Sequence, residues 1–290
     1  MTSATLLNLA VSIVLLTSIY SLVNVGFVLL YRSTGVPNFA QGHIAMFGGF
    51  VVATVVGAGI GYVAGAATAI IATLAVGYVV YRLVMRSLLG AEEFTKAIVT
   101  FMLAVVVTQM CLMVWGTEPY DIEQPTRQAL SLFGGRLPVM TIITLVVAVA
   151  LVMSIAWFLE HTLTGTRLQA LAENETLSVY AGISVHRLAA VAWAVSFATA
   201  GIAGVLYSQR AAIDLNTSEI GLVAFPAAVI GGLNSIKGTF VGALILAFVQ
   251  TISNYVLGGS YGIIAVYILM LGVLALKPEG LMGSVATRRL

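Results

Sequence analysis

The chain has 290 residues, of which 60% are hydrophobic and only 8% are charged. An ordinary soluble domain carries about 25% charged residues, so this composition excludes a soluble globular protein and predicts one membrane domain over residues 1–290. The net charge of +2 is too small for a nucleic-acid-binding surface, and we predict no nucleic-acid partner. With Cys111 as the single cysteine, the chain cannot form an internal disulfide or a cysteine metal site.

Apolar runs long enough to cross the hydrocarbon core, which requires roughly 20 residues, recur along the whole chain. The candidate spans are residues 5–31, 42–58, 62–81, 97–117, 137–159, 188–209, 221–236, 238–257 and 261–276. The seventh is short and contains Pro226, so it either crosses the membrane or forms a broken or re-entrant segment. The sequence therefore predicts an all-α integral membrane protein, a polytopic bundle of 8–9 transmembrane helices with broken helices.

Polar residues interrupt this pattern between the first two spans. Asn38, Gln41 and His43 carry side chains that can hydrogen-bond a polar solute. Polar side chains at the start of a span also commonly cap the helix or face water, so both interpretations stay open. A second polar break, which includes Asn216 and Thr217, follows the sixth span.

The two breaks are preceded by similar residues, Leu30-Tyr31 in the first half and Leu206-Tyr207 in the second, which is a weak internal repeat. Paired interrupted segments in the two halves of a transporter often mark the solute path, because unwound backbone and helix ends supply polar contacts there. We therefore predict that the polar residues of both breaks line a substrate path.

The segment of residues 161–187, between the fifth and sixth spans, is too long for a simple turn. Thr166 is predicted to cap a short helix that includes Leu171, and Asn174 to cap a second helix that ends at Gly182. The apolar positions fall on one face of each helix. Mixed charges argue against a lipid-binding helix, which would be rich in Lys and Arg. We therefore predict docking of this segment onto a protein partner, with the lipid surface as the alternative.

The basic residues predict the orientation. If all nine segments cross, ten of the 13 Lys and Arg residues face one side of the membrane. The positive-inside rule then places residues 160–187 and the C-terminus in the cytoplasm, and the N-terminus outside.

Catalytic motifs are missing from the sequence. It contains no His-Glu-x-x-His zinc motif, no Gly-x-Ser-x-Gly elbow and no phosphate-binding loop, so we predict that the chain is not an enzyme. No carboxylate lies within an apolar run, although proton-coupled transporters usually depend on one. An ion-coupled secondary transporter or channel therefore remains only as the alternative function.

Three regions carry a resemblance to a known family. They are residues 31–42 (YRSTGVPNFAQG), 165–183 (GTRLQALAENETLSVYAGI) and 229–243 (VIGGLNSIKGTFVGA). In these regions, and from about residue 20 to about residue 285, the chain resembles the branched-chain amino acid ABC importer permeases, the Liv-type membrane subunits. It looks like the shorter of the two permeases in such an importer.

The resemblance implies a multi-pass subunit of the bacterial inner membrane. Such a subunit pairs with a second homologous permease, two cytoplasmic ATPases and an external solute-binding protein. ATP and Mg would bind to the ATPases, and this chain would bind no cofactor. Relatives carry leucine-type amino acids, urea, short amides or aromatic acids, and the sequence does not choose among them.

The resemblance also implies that residues 165–183 couple the permease to the ATPases, with Leu171 and Ala172 inserting into an ATPase groove. The candidate coupling residues are Gly165, Arg167, Ala170, Leu171, Ala172, Glu173 and Gly182.

Overall fold

The computed structural model describes residues 3–35, 37–88, 90–122, 128–132, 135–173, 175–233, 235–258 and 261–283. The helices are α1 (Ser3–Thr34), α2 (Gln41–Gly57), α3 (Tyr62–Leu83), α4 (Glu93–Trp115), α5 (Val139–His161), α6 (Leu163–Glu173), α7 (Glu175–Tyr180), α8 (Val185–Tyr207), α9 (Glu219–Gly231), α10 (Ile236–Leu257) and α11 (Tyr261–Leu276). Short 3-10 turns cover Met85–Leu88 and Leu215–Ser218. An antiparallel pair of short strands, β1 (Ala129–Leu132) and β2 (Gly135–Pro138), lies between α4 and α5.

The predicted all-helical polytopic architecture is confirmed. Within the described residues, six helices, α1, α3, α4, α5, α8 and α10, are long and apolar enough to cross a membrane, and α2, α9 and α11 are shorter apolar helices. The largest boundary difference is in the seventh predicted span, which ends at Gly231 and not at residue 236. Gly232 ends the helix because its backbone adopts a φ of +100°, in the left-handed region.

Pro226 lies inside α9 without breaking it. A proline has no backbone N–H, so the carbonyl of Leu222, four residues earlier, loses its usual helical donor. The hydroxyl of Tyr267 in α11 donates a hydrogen bond to that carbonyl at 3.3 Å. A neighbouring helix thus replaces the missing donor, which is how membrane helices tolerate internal proline.

The seventh segment is held at both of its ends by neighbouring parts of the bundle. Its start is tied to the end of α4, because Tyr120 and Ile213 exchange backbone hydrogen bonds of 2.8 and 2.9 Å. Its end leads into α10, whose Lys237 forms a 3.4 Å ion pair with Glu160 at the opposite end of α5. Residues 215–231 are about 25 Å long, slightly less than the hydrocarbon core.

Two helices form the centre of the bundle. The most apolar 18-residue windows of α1 and α8 are each 78% buried, against 22–33% for the other long helices. α1 and α8 pack against each other, α3 packs on α8, and α10 packs on α1. Each central helix therefore packs against a long helix from the other half of the chain, which is consistent with the weak sequence repeat.

Cysteine labelling can test the orientation. In a Cys111→Ala background, Gln128→Cys should react with an impermeant external thiol reagent in intact cells, and Leu163→Cys should react only after permeabilisation. Both positions are exposed, whereas the half-buried Gln169 would be protected on either side of the membrane. The reverse labelling pattern would invert the topology.

Candidate functional site

The first polar break carries the chain back into the bundle before α2 begins. Gln41, the first residue of α2, is fully buried, and its Nε2 donates to the carbonyl of Ser196 in α8 at 3.0 Å. The Ser196 hydroxyl lies 3.0 Å from the carbonyl oxygen of Gly26 in α1 and 3.2 Å from Gln41 Oε1. Gly26 is about 12 Å before the end of α1 at the helical rise per residue, so α2 starts well inside the bundle.

Asn38 completes this network. It is fully buried, its Nδ2 donates to Gln41 Oε1 at 3.0 Å, and its Oδ1 accepts from the N–H of Ala40 at 3.1 Å. Buried polar groups need such partners, because non-helical backbone and amides cannot be left unbonded at membrane depth. In this conformation Asn38 and Gln41 therefore join α1, α2 and α8, and a direct solute contact stays a prediction.

Gln41→Ala should lower the stability of the purified protein by about 1–3 kcal/mol, because Asn38 and Ser196 would each lose a buried partner. The measurement is the thermal midpoint in detergent. Thr68→Ala is the matched control: its hydroxyl is exposed and donates only within its own helix, so the midpoint should hardly change. An unchanged midpoint with lost uptake in Gln41→Ala would instead indicate direct solute contact.

The two polar breaks meet inside the bundle. A Cβ placed on Gly42 of α2 would meet the carbonyl of Ser218 and lie 2.7 Å from Cα of Gly221 in α9. A Cβ on Gly221 would in turn lie 2.6 Å from Cα of Gly42. The starts of α2 and α9 thus touch through backbone alone, which only glycine permits.

The second break is fixed by a capping box. The Asp214 carboxylate accepts hydrogen bonds from the backbone N–H of Thr217 at 3.0 Å and from Asn216 Nδ2 at 3.0 Å. Thr217 is buried and its hydroxyl accepts from the Asp214 N–H at 3.1 Å, whereas Asn216 is exposed. Of the predicted path residues, Asn216 and Thr217 line a cavity, while His43 is half-buried on α2.

This cavity of about 510 Å³ opens on the face that carries the Tyr120–Ile213 pairing, which is the predicted external face; we call it the outer cavity. Its polar lining residues are Tyr20, Tyr207, Arg210, Asp214, Asn216, Thr217, Glu219 and Gln250. Groups of both charge signs surround it, so it suits a solute that carries both an ammonium and a carboxylate group.

Sequence reasoning missed two polar residues of the first span, Ser21 and Asn24. Both are fully buried, and none of their side-chain polar atoms has a hydrogen-bond partner among the residues that the structure describes. The available signal was their i, i+3 spacing inside an apolar run, which places them on one face of α1.

The predicted coupling segment forms two helices, but its first cap differs from the prediction. Thr162 caps α6, since its hydroxyl accepts from the N–H of Gly165 at 3.0 Å; Thr166 lies inside the helix and donates back to the Thr162 carbonyl. α5 ends at the residue before Thr162, so the end of α5 determines which residue caps α6. Gly165 is buried and backs directly onto Phe158 and Leu159.

Leu171 does not face outwards. It is 5% exposed and belongs, with Leu168, to the core cluster of the bundle. The bundle thus covers this face of α6 in this conformation, and the insertion of Leu171 into a groove of another subunit stays a prediction. Arg167 is exposed and Ala170 half-buried. Ala172 and Glu173 belong to α6, but their side chains, like the whole of Asn174, lie outside the described residues.

Within the described part of the segment, α7 carries neighbouring exposed apolar side chains. Leu177 is 63% and Tyr180 84% exposed. Gly182 ends this helix as predicted: its φ is +76°, its N–H donates to the Val179 carbonyl, and the Ile183 N–H donates to the Ser178 carbonyl. These two bonds form a Schellman motif, which requires a left-handed residue at this place.

Comparisons with known proteins agree with this architecture. A family model described as "Branched-chain amino acid transport system / permease component" matches residues 9–274. The high-affinity branched-chain amino acid transport system permease protein LivH of Escherichia coli is 26% identical, with 93% of each chain covered. The corresponding permease protein BraD of Pseudomonas aeruginosa is 26% identical, with 92% of each covered.

The similarity also extends to a sugar importer. The ribose import permease protein RbsC of Escherichia coli is 28% identical, with 89% of this chain and 82% of its own covered. No solved structure matches significantly. Because the family model spans most of the chain, this protein belongs to the family of branched-chain amino acid transport system permease components.

Proposed function

We propose that this chain is the permease subunit of an ATP-driven importer in a bacterial inner membrane. It spans the membrane, carries no catalytic site of its own, and forms half of a translocation pathway with a second homologous permease. Two cytoplasmic ATPases bind ATP and Mg, and an external solute-binding protein delivers the solute. The observation that carries this proposal is the family match over residues 9–274, which includes both polar breaks and the α6–α7 segment.

The solute is a branched-chain amino acid or a related small polar solute. Relatives named for branched-chain amino acid transport and for ribose import leave both classes open. The outer cavity favours the amino acid, because Arg210 and Glu219 are exposed around it and offer opposite charges to a zwitterion. An uncharged sugar could hydrogen-bond these side chains but would form no ion pair with either of them.

α7 is the element that docks onto an ATPase, and α6 transmits its displacement. α6 packs against α1, α5 and α8. Leu171 also lines a cavity of about 200 Å³ together with Ser33 at the end of α1 and Val185 at the start of α8. A push on α7 would therefore reach both central helices through contacts that already exist.

Reconstitution in proteoliposomes tests the proposal. When two partner ATPases, a second permease and a binding protein are supplied, the chain should take up L-leucine only in the presence of ATP, and ribose should not compete. The purified chain alone should not hydrolyse ATP, because it has no phosphate-binding loop. Uptake by the chain alone, driven by a sodium or proton gradient, would replace this proposal with the secondary-transporter alternative.

A further inference from the structure

The floor of the outer cavity is a hydrogen bond between two helices. The Tyr20 hydroxyl of α1 donates to Gln250 Oε1 of α10 at 2.8 Å, and both residues line the cavity. Tyr20 is 5% exposed and Gln250 is half-buried, so the pair lies at the inner limit of the open space. Breaking this bond would remove a polar link between two helices that also pack directly against each other.

An unsatisfied asparagine lies one helical turn deeper. Asn24 follows Tyr20 by four residues, which places both on the same face of α1. Its side chain is fully buried, and neither Nδ2 nor Oδ1 has a partner among the described residues. Burying an amide without hydrogen bonds is unfavourable, so such a residue needs an explanation beyond packing.

Further unsatisfied groups lie on α1 and on two helices that pack against it. Ser21 of α1, Thr144 of α5 and Thr251 of α10 are all buried with unpartnered hydroxyls. Their three helices pack pairwise against one another. Since a bound solute or a rearranged bundle would supply partners, the unsatisfied groups indicate a site that is closed in this conformation and occupied in another.

We propose that Tyr20 and Gln250 form an outer gate, and that Asn24 is a solute-binding residue behind it that opens to the outer cavity when their hydrogen bond breaks. This inference rests on the proposed transport function. The amide of Asn24 offers two donors and an acceptor, so it can bind both the carboxylate and the ammonium group of a zwitterion. Its place in the central helix α1, below the outer cavity, is typical of substrate sites in transporters.

Cysteine accessibility tests the gate without requiring transport. In the assembled importer with Cys111→Ala, the thiol of Asn24→Cys should react slowly with an impermeant external reagent. Adding Tyr20→Phe or Gln250→Leu should raise that rate about tenfold, since either change removes the hydrogen bond, and L-leucine should slow the labelling again. Thr73→Cys, at an equally buried position in α3, should stay unreactive in every background. If neither gate substitution changed the labelling rate of Asn24→Cys, the proposal would be overturned.

Uptake tests the binding role of Asn24. Asn24→Leu removes an unsatisfied amide and keeps the branched shape of the side chain, so the assembled importer should still be recovered while L-leucine uptake falls about tenfold or more. Thr73→Val is the matched control, because its buried hydroxyl donates only within its own helix; its uptake should be normal. Wild-type uptake by Asn24→Leu would mean that Asn24 binds no solute. Labelling needs no ATP, so the gate and the ATP dependence of uptake are tested by separate measurements.

Discussion

Gly42→Ala is expected to prevent correct folding of this permease, although it adds only one methyl group. The new Cβ would collide with the backbone of Ser218 and Gly221, which has no flexible side chain that could move aside. The starts of α2 and α9 would have to separate. Overpacking of this kind costs about 1–3 kcal/mol or more, a large part of the stability of a typical domain.

The measurement is the yield of monodisperse protein in detergent and its thermal midpoint. Gly57→Ala in the same helix is the matched control, because a Cβ there meets nothing within 4 Å. That change should be neutral or slightly stabilising, since alanine favours a helix by about 0.5–1 kcal/mol over glycine. Equal midpoints for the two variants would show that the close approach of α2 and α9 does not exist in the folded protein.

The double variant Leu177→Glu with Tyr180→Glu is expected to abolish association with the ATPases. The two side chains are three residues apart on α7, so they form one exposed apolar face. Interface anchors contribute about 2 kcal/mol or more each, so losing two should weaken binding roughly a thousandfold. Unpaired carboxylates in a buried interface would add a desolvation penalty.

Co-purification of the ATPases with the tagged permease measures this effect. Leu163→Glu is the control, because Leu163 is a similarly exposed apolar residue, 77% exposed, at the start of α6. It should leave both assembly and membrane insertion intact. Wild-type recovery of the ATPases by the double variant would exclude α7 as the docking face.

Much of the fold could be predicted because the relevant signals are local. The free energy of transferring an apolar run out of water depends on the residues of that run alone. Every predicted span accordingly has its helix in the structure. Gly182 was identifiable as a helix terminator because a left-handed residue is required by the backbone of that turn alone. The cap of α6 was predicted one helical turn too late, at Thr166. The structure has it at Thr162, because the cap position depends on where the preceding helix ends.

The candidate site could be predicted only in part. Polar residues at the two breaks were visible in the sequence, but whether Gln41 faces a solute or Ser196 depends on a contact 155 positions away. Asn24 resembled any other polar residue in an apolar run, and its lack of a partner emerged only from the packing of α1 against α5 and α10.

The sequence by itself determined that this protein lies in a membrane, which segments form its helices, and which loop carries the helices of the coupling segment. Each of these properties follows from the free energy of transferring a short segment out of water or from the dihedral angles of one turn. The tertiary structure alone decided that Leu171 is covered and Tyr180 is free, and that Gly42 touches Gly221. Those outcomes depend on which distant helices become neighbours. The hydrophobic effect is non-directional, so the apolar residues of one segment do not specify which other segment covers them.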